Sequence, residues 1–352
     1  MQARERMLRT LRGESIQAVP WSCYYGLLPI GQTERSLRAQ GMAIIQPVTP
    51  YTKRAPHVDV LERYTYEAGE RVLYRTLSTP IGSVTEKRRF EPGYGSSWAD
   101  EHFIKRREDY PIMEFVIRDT VLEPDYEAAL RVEEDLAGDG LALAWTTRSP
   151  YQMMYIELMG IERLAMDRAD NLAEFLSLRQ ALEELDERIY ALVAEAPVQL
   201  VWCPDNLSDL IAGGPVFEAY YAPYYDQPAK LLADAGKIMV THMDGRLGGL
   251  VQAIARTALP VIEAFTPPPM GNVSVSQAKQ AWPGKVLWVN FPGCLFLEPE
   301  EEIERYTVQL LEEGMPGGGF ILGITENIPH SVRHRALRAL ARGVAKFEAA
   351  CF

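Results

Sequence analysis

From about residue 136 onward, short apolar runs rich in β-branched residues alternate with longer amphipathic stretches, and this alternation constrains the fold more than any other feature. It marks repeated strand-helix units, whose strands lie parallel because each helix carries the chain back across the sheet. The strands expected are Leu141–Thr146, Gln199–Pro204, Lys237–His242, Val261–Phe265, Val286–Phe291 and Gly319–Ile324. Helical periodicity covers Asn171–Glu195, Pro299–Glu313 and Ser331–Phe347. Two further apolar runs, near Val19–Ser22 and Ala43–Pro47, bring the strands to about eight, the number at which side chains fill a closed barrel. The expectation is an α/β TIM (β/α)8 barrel with an N-terminal helical extension, MQARERMLRTLRGE.

Residues 65–105 break the rhythm with short strands and turn signals at Pro80, Gly82 and Gly93, which predicts a β-hairpin insertion within a single domain spanning 1–352. A net charge of -12 argues against a nucleic-acid backbone or an anionic membrane as partner. Cys23, Cys203, Cys294 and Cys351 stand far apart, as reduced thiols do. The N-terminus lacks the apolar core of a signal peptide and no apolar run is long enough to span a membrane, so a cytoplasmic location is expected.

Catalytic residues of such a barrel belong at the C-terminal ends of the strands. Those positions hold Trp145 and Arg148, then Trp202, Asp205 and Asn206, then His242 and Asp244, then Glu263 and Phe265, then Asn290, and finally Thr325, Glu326 and Asn327. His242, Asp244 and Glu263 have the types and order of a metal site, and Glu326 offers a fourth ligand. The same residues equally suit hydrogen bonds to neighbours and helix caps. Arg148 suits a substrate carboxylate or a loop-tying ion pair, and Asp205 with Asn206 a ligand hydroxyl. Of the aromatic residues, among them Tyr24, Tyr25 and Tyr220 to Tyr225, only Trp145, Trp202 and Phe265 are expected to line a pocket.

The run VTHMDGRLGGLVQAIARTALPVIEAFTPPPMGNVSVSQAKQAWPGKVLWVNFPG, preceded by CPDNLS and followed by GITENIP, resembles the uroporphyrinogen decarboxylase superfamily. The opening RERMLRTLRGESIQAVPW, the segment LSTPIGSVTEKRRF and the later REDYPIMEFVIRD extend the resemblance over nearly the whole chain. Decarboxylases of this kind carry an arginine-rich segment after the first strand to grip substrate carboxylates, whereas Pro20 to Leu28 here contains no arginine. The chain therefore looks like the methyltransferase branch.

Zinc-dependent members of that branch share an H-x-C, a later glutamate and a distal cysteine. Here His242 and Glu263 match, Asp244 replaces the first cysteine, and Gly319 to Asn327 holds no cysteine. Oxygen donors suit a zinc ion that polarises an ether oxygen better than one that activates a thiol. What the resemblance implies is a methyltransferase that moves a methyl group from a methoxylated, aromatic substrate to the Co(I) of a separate corrinoid protein. Zinc on His242, Asp244, Glu263 and Glu326 would act as Lewis acid. Arg148, Asp205, Asn206, Asn290, Trp145, Trp202 and Phe265 would bind substrate. No D-x-H-x-x-G corrinoid signature occurs, so cobalamin would arrive on the partner. A metal-free decarboxylase of a carboxylated, tetrapyrrole-like substrate and a non-catalytic ligand-binding or scaffold protein are the alternatives.

Overall fold

A computed structural model describes residues 1–91 and 96–352, so the turn expected at Gly93 lies outside the described residues. The chain divides into two compact units, one of Met1–Pro50, Asp125–Thr146 and Val193–Phe352, the other of Tyr51–Pro124 and Thr147–Leu192.

The first unit is the (β/α)8 barrel. Its strands are β1 (Trp21–Tyr24), β2 (Ala43–Val48), β3 (Gly140–Trp145), β4 (Leu200–Cys203), β5 (Ile238–His242), β6 (Val261–Phe265), β7 (Val286–Asn290) and β8 (Phe320–Ile324). All pair in parallel, and β1 closes on both β2 and β8. Alternation along each strand sends one set of side chains inward, where Leu141, Leu143, Leu200, Val240, Val261 and Ile321 fill the barrel.

Helix Ala3–Leu11 turns Ala3, Met7, Leu8 and Leu11 into this same apolar cluster. Arg4 fixes it there, with its backbone N–H on the Gly138 carbonyl at 3.0 Å and its guanidinium on the Gly140 carbonyl at 3.0 Å. Gly138 precedes the start of β3, so the helix plugs the N-terminal end of the barrel. The outer helices are set by local signals. Ser274 and Gln277 form a reciprocal capping box at the start of Val275–Ala281, and Glu300, Glu301 and Glu302 occupy the first turn of Glu300–Gly314.

In the second unit the expected hairpin is a four-stranded antiparallel meander, Asp59–Glu67, Glu70–Thr79, Gly82–Phe90 and Ser97–Glu101, which begins six residues before position 65. Ala68 and Gly69 both take positive φ, 50° and 86°, as a two-residue hairpin turn requires. Leu73, Leu77 and Val84 bury one face of the meander. On that face Glu86 is buried between Arg75 and Arg88, at 2.9 and 2.8 Å. The unit also holds a separate pair, Tyr51–Arg54 with Val121–Pro124, the helices Asp109–Arg118 and Ile161–Ala169, and the π-helical turn Met153–Met159. Among the described residues no helix is long and apolar enough to cross a membrane.

Candidate active site

Side chains two residues apart on a strand share a face. Leu143 therefore carries Trp145 with it, Leu200 carries Trp202, Val240 carries His242, Val261 carries Glu263, and Trp288 carries Asn290, all toward the barrel axis at the C-terminal end. Pairing then decides who meets. His242 lies in register with Glu263, and Trp202 in register with Trp145.

Glu263 is fully buried and accepts three hydrogen bonds. The Tyr24 hydroxyl donates to Oε1 at 2.7 Å, while the Trp202 indole N–H at 3.0 Å and His242 Nδ1 at 2.8 Å share Oε2. The other imidazole nitrogen, Nε2, faces Asp244 Oδ2 at 3.6 Å. Burial alone would lower the pKa of His242, but the charge of Glu263 and hydrogen bonds donated to Asp244 and Glu263 outweigh it and lift the pKa to about 10. Burial, reinforced by Glu263, pushes the Tyr24 phenol well above its usual range, which keeps it a donor. Glu326 sits close enough to feel the charges, and burial first, then Asp244, raises its carboxyl pKa against the opposing pull of His242.

Trp202 meets the imidazole edge-on at 5.4 Å, and Trp145, 40% exposed, meets Trp202 edge-on at 4.5 Å. Together they form an aromatic wall rising from His242 toward solvent.

His242, Asp244 and Glu263 do come together, but not around a common point, because the two carboxylates address opposite nitrogens of the ring. Among the described residues no three His, Cys, Asp or Glu side chains are arranged to hold a metal ion. In this arrangement Glu263 meets the imidazole from the Nδ1 side and orients it, and its expected place as a direct ligand rests on the resemblance alone.

Phe265 is a correction. Ala264 takes φ 54° and the β6–β7 register shifts between Glu263 and Phe265, so the ring packs edge-on to Trp282 at 5.8 Å. Irregularities of this kind re-aim side chains at strand ends. Asp205 is fully buried and accepts the Tyr225 hydroxyl at 2.6 Å, which ties it to the following helix, while Asn206 is exposed. Arg148 belongs to the second unit, where it pairs with Glu157 at 3.3 Å as the ion-pair alternative requires. Asn290 links strand ends by donating to Thr266 Oγ1 at 3.2 Å and accepting the Thr325 N–H at 3.2 Å.

The role of Tyr24 is one that the sequence reading missed. Ser22, two residues earlier on the same strand, accepts the indole N–H of the interior Trp288 at 3.0 Å, so Tyr24 faces the same way, and the sequence carries no signal of that contact.

A methyltransferase from Methanosarcina mazei superposes with a TM-score of 0.60 over 99% of this chain and 99% of that one, at 12% identity. The likeness is one of fold. The tandem GH20 modules of a pneumococcal exo-β-D-N-acetylglucosaminidase (TM-score 0.43, 11% identity, 97% of this chain and 87% of that one) are too dissimilar to carry an argument. So is a GH5-4 endoglucanase from an uncultured bacterium (TM-score 0.42, 8% identity, 96% and 97%). No protein-family model matches the sequence, and no curated protein does.

Proposed function

We propose that this chain is a methyltransferase of the uroporphyrinogen decarboxylase superfamily that demethylates a methoxylated aromatic compound. The methyl acceptor is the Co(I) of a corrinoid carried by a separate protein. One observation carries the reading: three donors clamp Glu263, which clamps Nδ1 of His242 and leaves Nε2 beside Asp244 at the mouth end of the barrel. Convergence of polar groups on one imidazole favours catalysis over a scaffolding role. The barrel shared with the Methanosarcina methyltransferase supports the same direction.

The zinc ion implied by the resemblance fits in part. Nε2 of His242 and Asp244 Oδ2, 3.6 Å apart, are spaced like two ligands of one ion, and Nδ1 rests on a carboxylate as metal-binding imidazoles do. When bound there, zinc supplies Lewis acidity to the ether oxygen.

The remaining work falls to side chains of this protein. Trp202 and Trp145 present ring edges against which an aromatic substrate packs. In the transfer the methyl C–O bond breaks, the electron pair of Co(I) forms the Co–C bond, and the aryl oxygen leaves with the former bonding pair. That oxygen needs a proton. Glu326, whose carboxyl pKa is raised by burial and by Asp244, is the side chain suited to supply it.

The test is incubation with a Co(I) corrinoid protein and a panel of methoxyarenes, followed by the visible spectrum of methyl-Co(III). Methyl-cobalt should form, and His242→Ala should slow it at least about 100-fold, as loss of an electrostatic catalytic group does. Carbon dioxide release from a carboxylated substrate, with no methyl-cobalt across the panel, would favour the decarboxylase instead.

A further inference from the structure

We propose that the edge strand Asp59–Glu67 of the second unit docks a second copy of this chain, the two strands pairing antiparallel about Tyr64. This inference does not rest on the methyl-transfer reading, and every residue it uses belongs to the second unit.

The two edges of the meander are built differently. Ser97–Glu101 is short, carries Asp100 and Glu101, and its register with the neighbouring strand shifts between Lys87 and Arg88. Shortness, charge and a bulge are the devices that keep a sheet edge from pairing. Asp59–Glu67 is longer, runs in unbroken register with Glu70–Thr79, contains no proline or lysine, and pairs on one side only among the described residues. Val60, Leu61, Tyr64 and Tyr66 stand exposed along it.

The hairpin turn decides which backbone groups are open. A two-residue turn makes its flanking residues, Glu67 and Glu70, a hydrogen-bonded pair, and alternation from there points the N–H and C=O of Val60, Glu62, Tyr64 and Tyr66 away from the sheet. Two copies related by a two-fold axis bring positions of like parity opposite each other, so registers that pair most of the strand put the axis at Glu62, Arg63 or Tyr64. The first sets Glu62 against Glu62, and the second sets Arg63 against Arg63 and Asp59 against Glu67. Like charges directly opposite are destabilising. The third avoids them: Tyr64 meets Tyr64, Glu62 meets Tyr66, Arg63 meets Thr65 and Leu61 meets Glu67 of the copy. A strand of another protein would require no such self-complementarity, which is what favours a second copy.

Tyr64 is already held for that role. The Arg71 guanidinium lies 4.5 Å from its ring centroid and the Phe90 ring 6.2 Å away, so little side-chain freedom is lost on docking. Each copy uses the same strand, and the outer edges of the joined sheet are both of the protected kind, so assembly closes at two.

The test is sedimentation velocity of the full chain over a series of micromolar concentrations, where a contact of this small area should hold a reversible dimer. Tyr64→Lys sets two ammonium groups face to face on the axis and should weaken the dimer at least about 100-fold. A thermal melt shows whether that variant is folded. Trp98→Lys, on the protected edge, should dimerise like the wild type. Tyr64→Cys should cross-link to itself on mild oxidation, whereas Tyr66→Cys, which faces Glu62, should cross-link no more than the wild type with its exposed Cys294 and Cys351. If Tyr64→Lys is unfolded, the two cysteine variants decide. The proposal is overturned if the chain stays monomeric across the series, which would leave the edge to a strand of another protein. It is equally overturned if folded Tyr64→Lys dimerises as tightly as the wild type, if Trp98→Lys abolishes the dimer, or if Tyr66→Cys cross-links and Tyr64→Cys does not.

Discussion

Tyr24 on β1 donates its hydroxyl to Glu263 on β6 at 2.7 Å, although β7 and β8 stand between the two strands in the sheet order. The bond crosses the barrel interior and ties its first strand to the residue that orients His242. Replacing Tyr24 with Phe keeps the ring and leaves a buried acid one donor short. The expected cost is about 1.5–3 kcal/mol of stability, the range for hydrogen bonds to charged groups, read from the midpoint of urea unfolding. An unchanged midpoint would mean that Trp202 and His242 satisfy Glu263 unaided.

The imidazole makes stability depend on pH. With its pKa raised from 6.5 to about 10 in the folded protein, His242 binds its proton more tightly there than in the unfolded chain. Its contribution is fully present below the unfolded value of 6.5 and is lost as pH rises through about 10. Glu263→Gln removes the charge that does most to raise the pKa, so this variant should lose less stability than the wild type between those limits. Unfolding curves at a series of pH values compare the two, and parallel profiles would remove His242 as the source.

Zinc distinguishes a ligand from a residue that orients one. His242→Ala should abolish zinc binding, whereas Glu263→Gln should weaken it by roughly 10–100-fold, the effect usual for a group that holds a metal-bound imidazole. Metal analysis after dialysis against graded chelator reads both. Equal loss in the two variants would make Glu263 a direct ligand.

Gly323 bears on packing beneath the site. A Cβ at this position would lie 2.8 Å from Nε1 and 2.9 Å from Cδ1 of Trp288, the indole that donates to Ser22. Gly323→Ala should destabilise by about 1–3 kcal/mol, as overpacking a filled interior does. A shift in tryptophan emission should accompany the fall in melting temperature.

Much of the barrel was legible in the sequence because buried parallel strands are apolar along their whole length. Each expected strand lies within two residues of the one observed, as Val261–Phe265 and Lys237–His242 illustrate. The meander was harder. Asp59–Glu67 is mostly exposed on both faces, so its pattern carries little of the burial signal that betrays a strand. At the site, His242 and Glu263 were visible as strand-end residues, but the job of Glu263 was not. That job depends on Tyr24 and Trp202, 239 and 61 positions away in the chain, and on a register that only pairing sets. Phe265 was misjudged because the backbone twist at Ala264 has no residue signature: alanine is not a type that favours positive φ.

Helix Ala3–Leu11 stoppers the far end of the barrel with Met7 and Leu11, which leaves His242 to be approached from the opposite end. On the proposed reading a small methyl donor and a protein-borne acceptor would share that approach, and an ordered kinetic scheme, with the small molecule first, is the expected outcome.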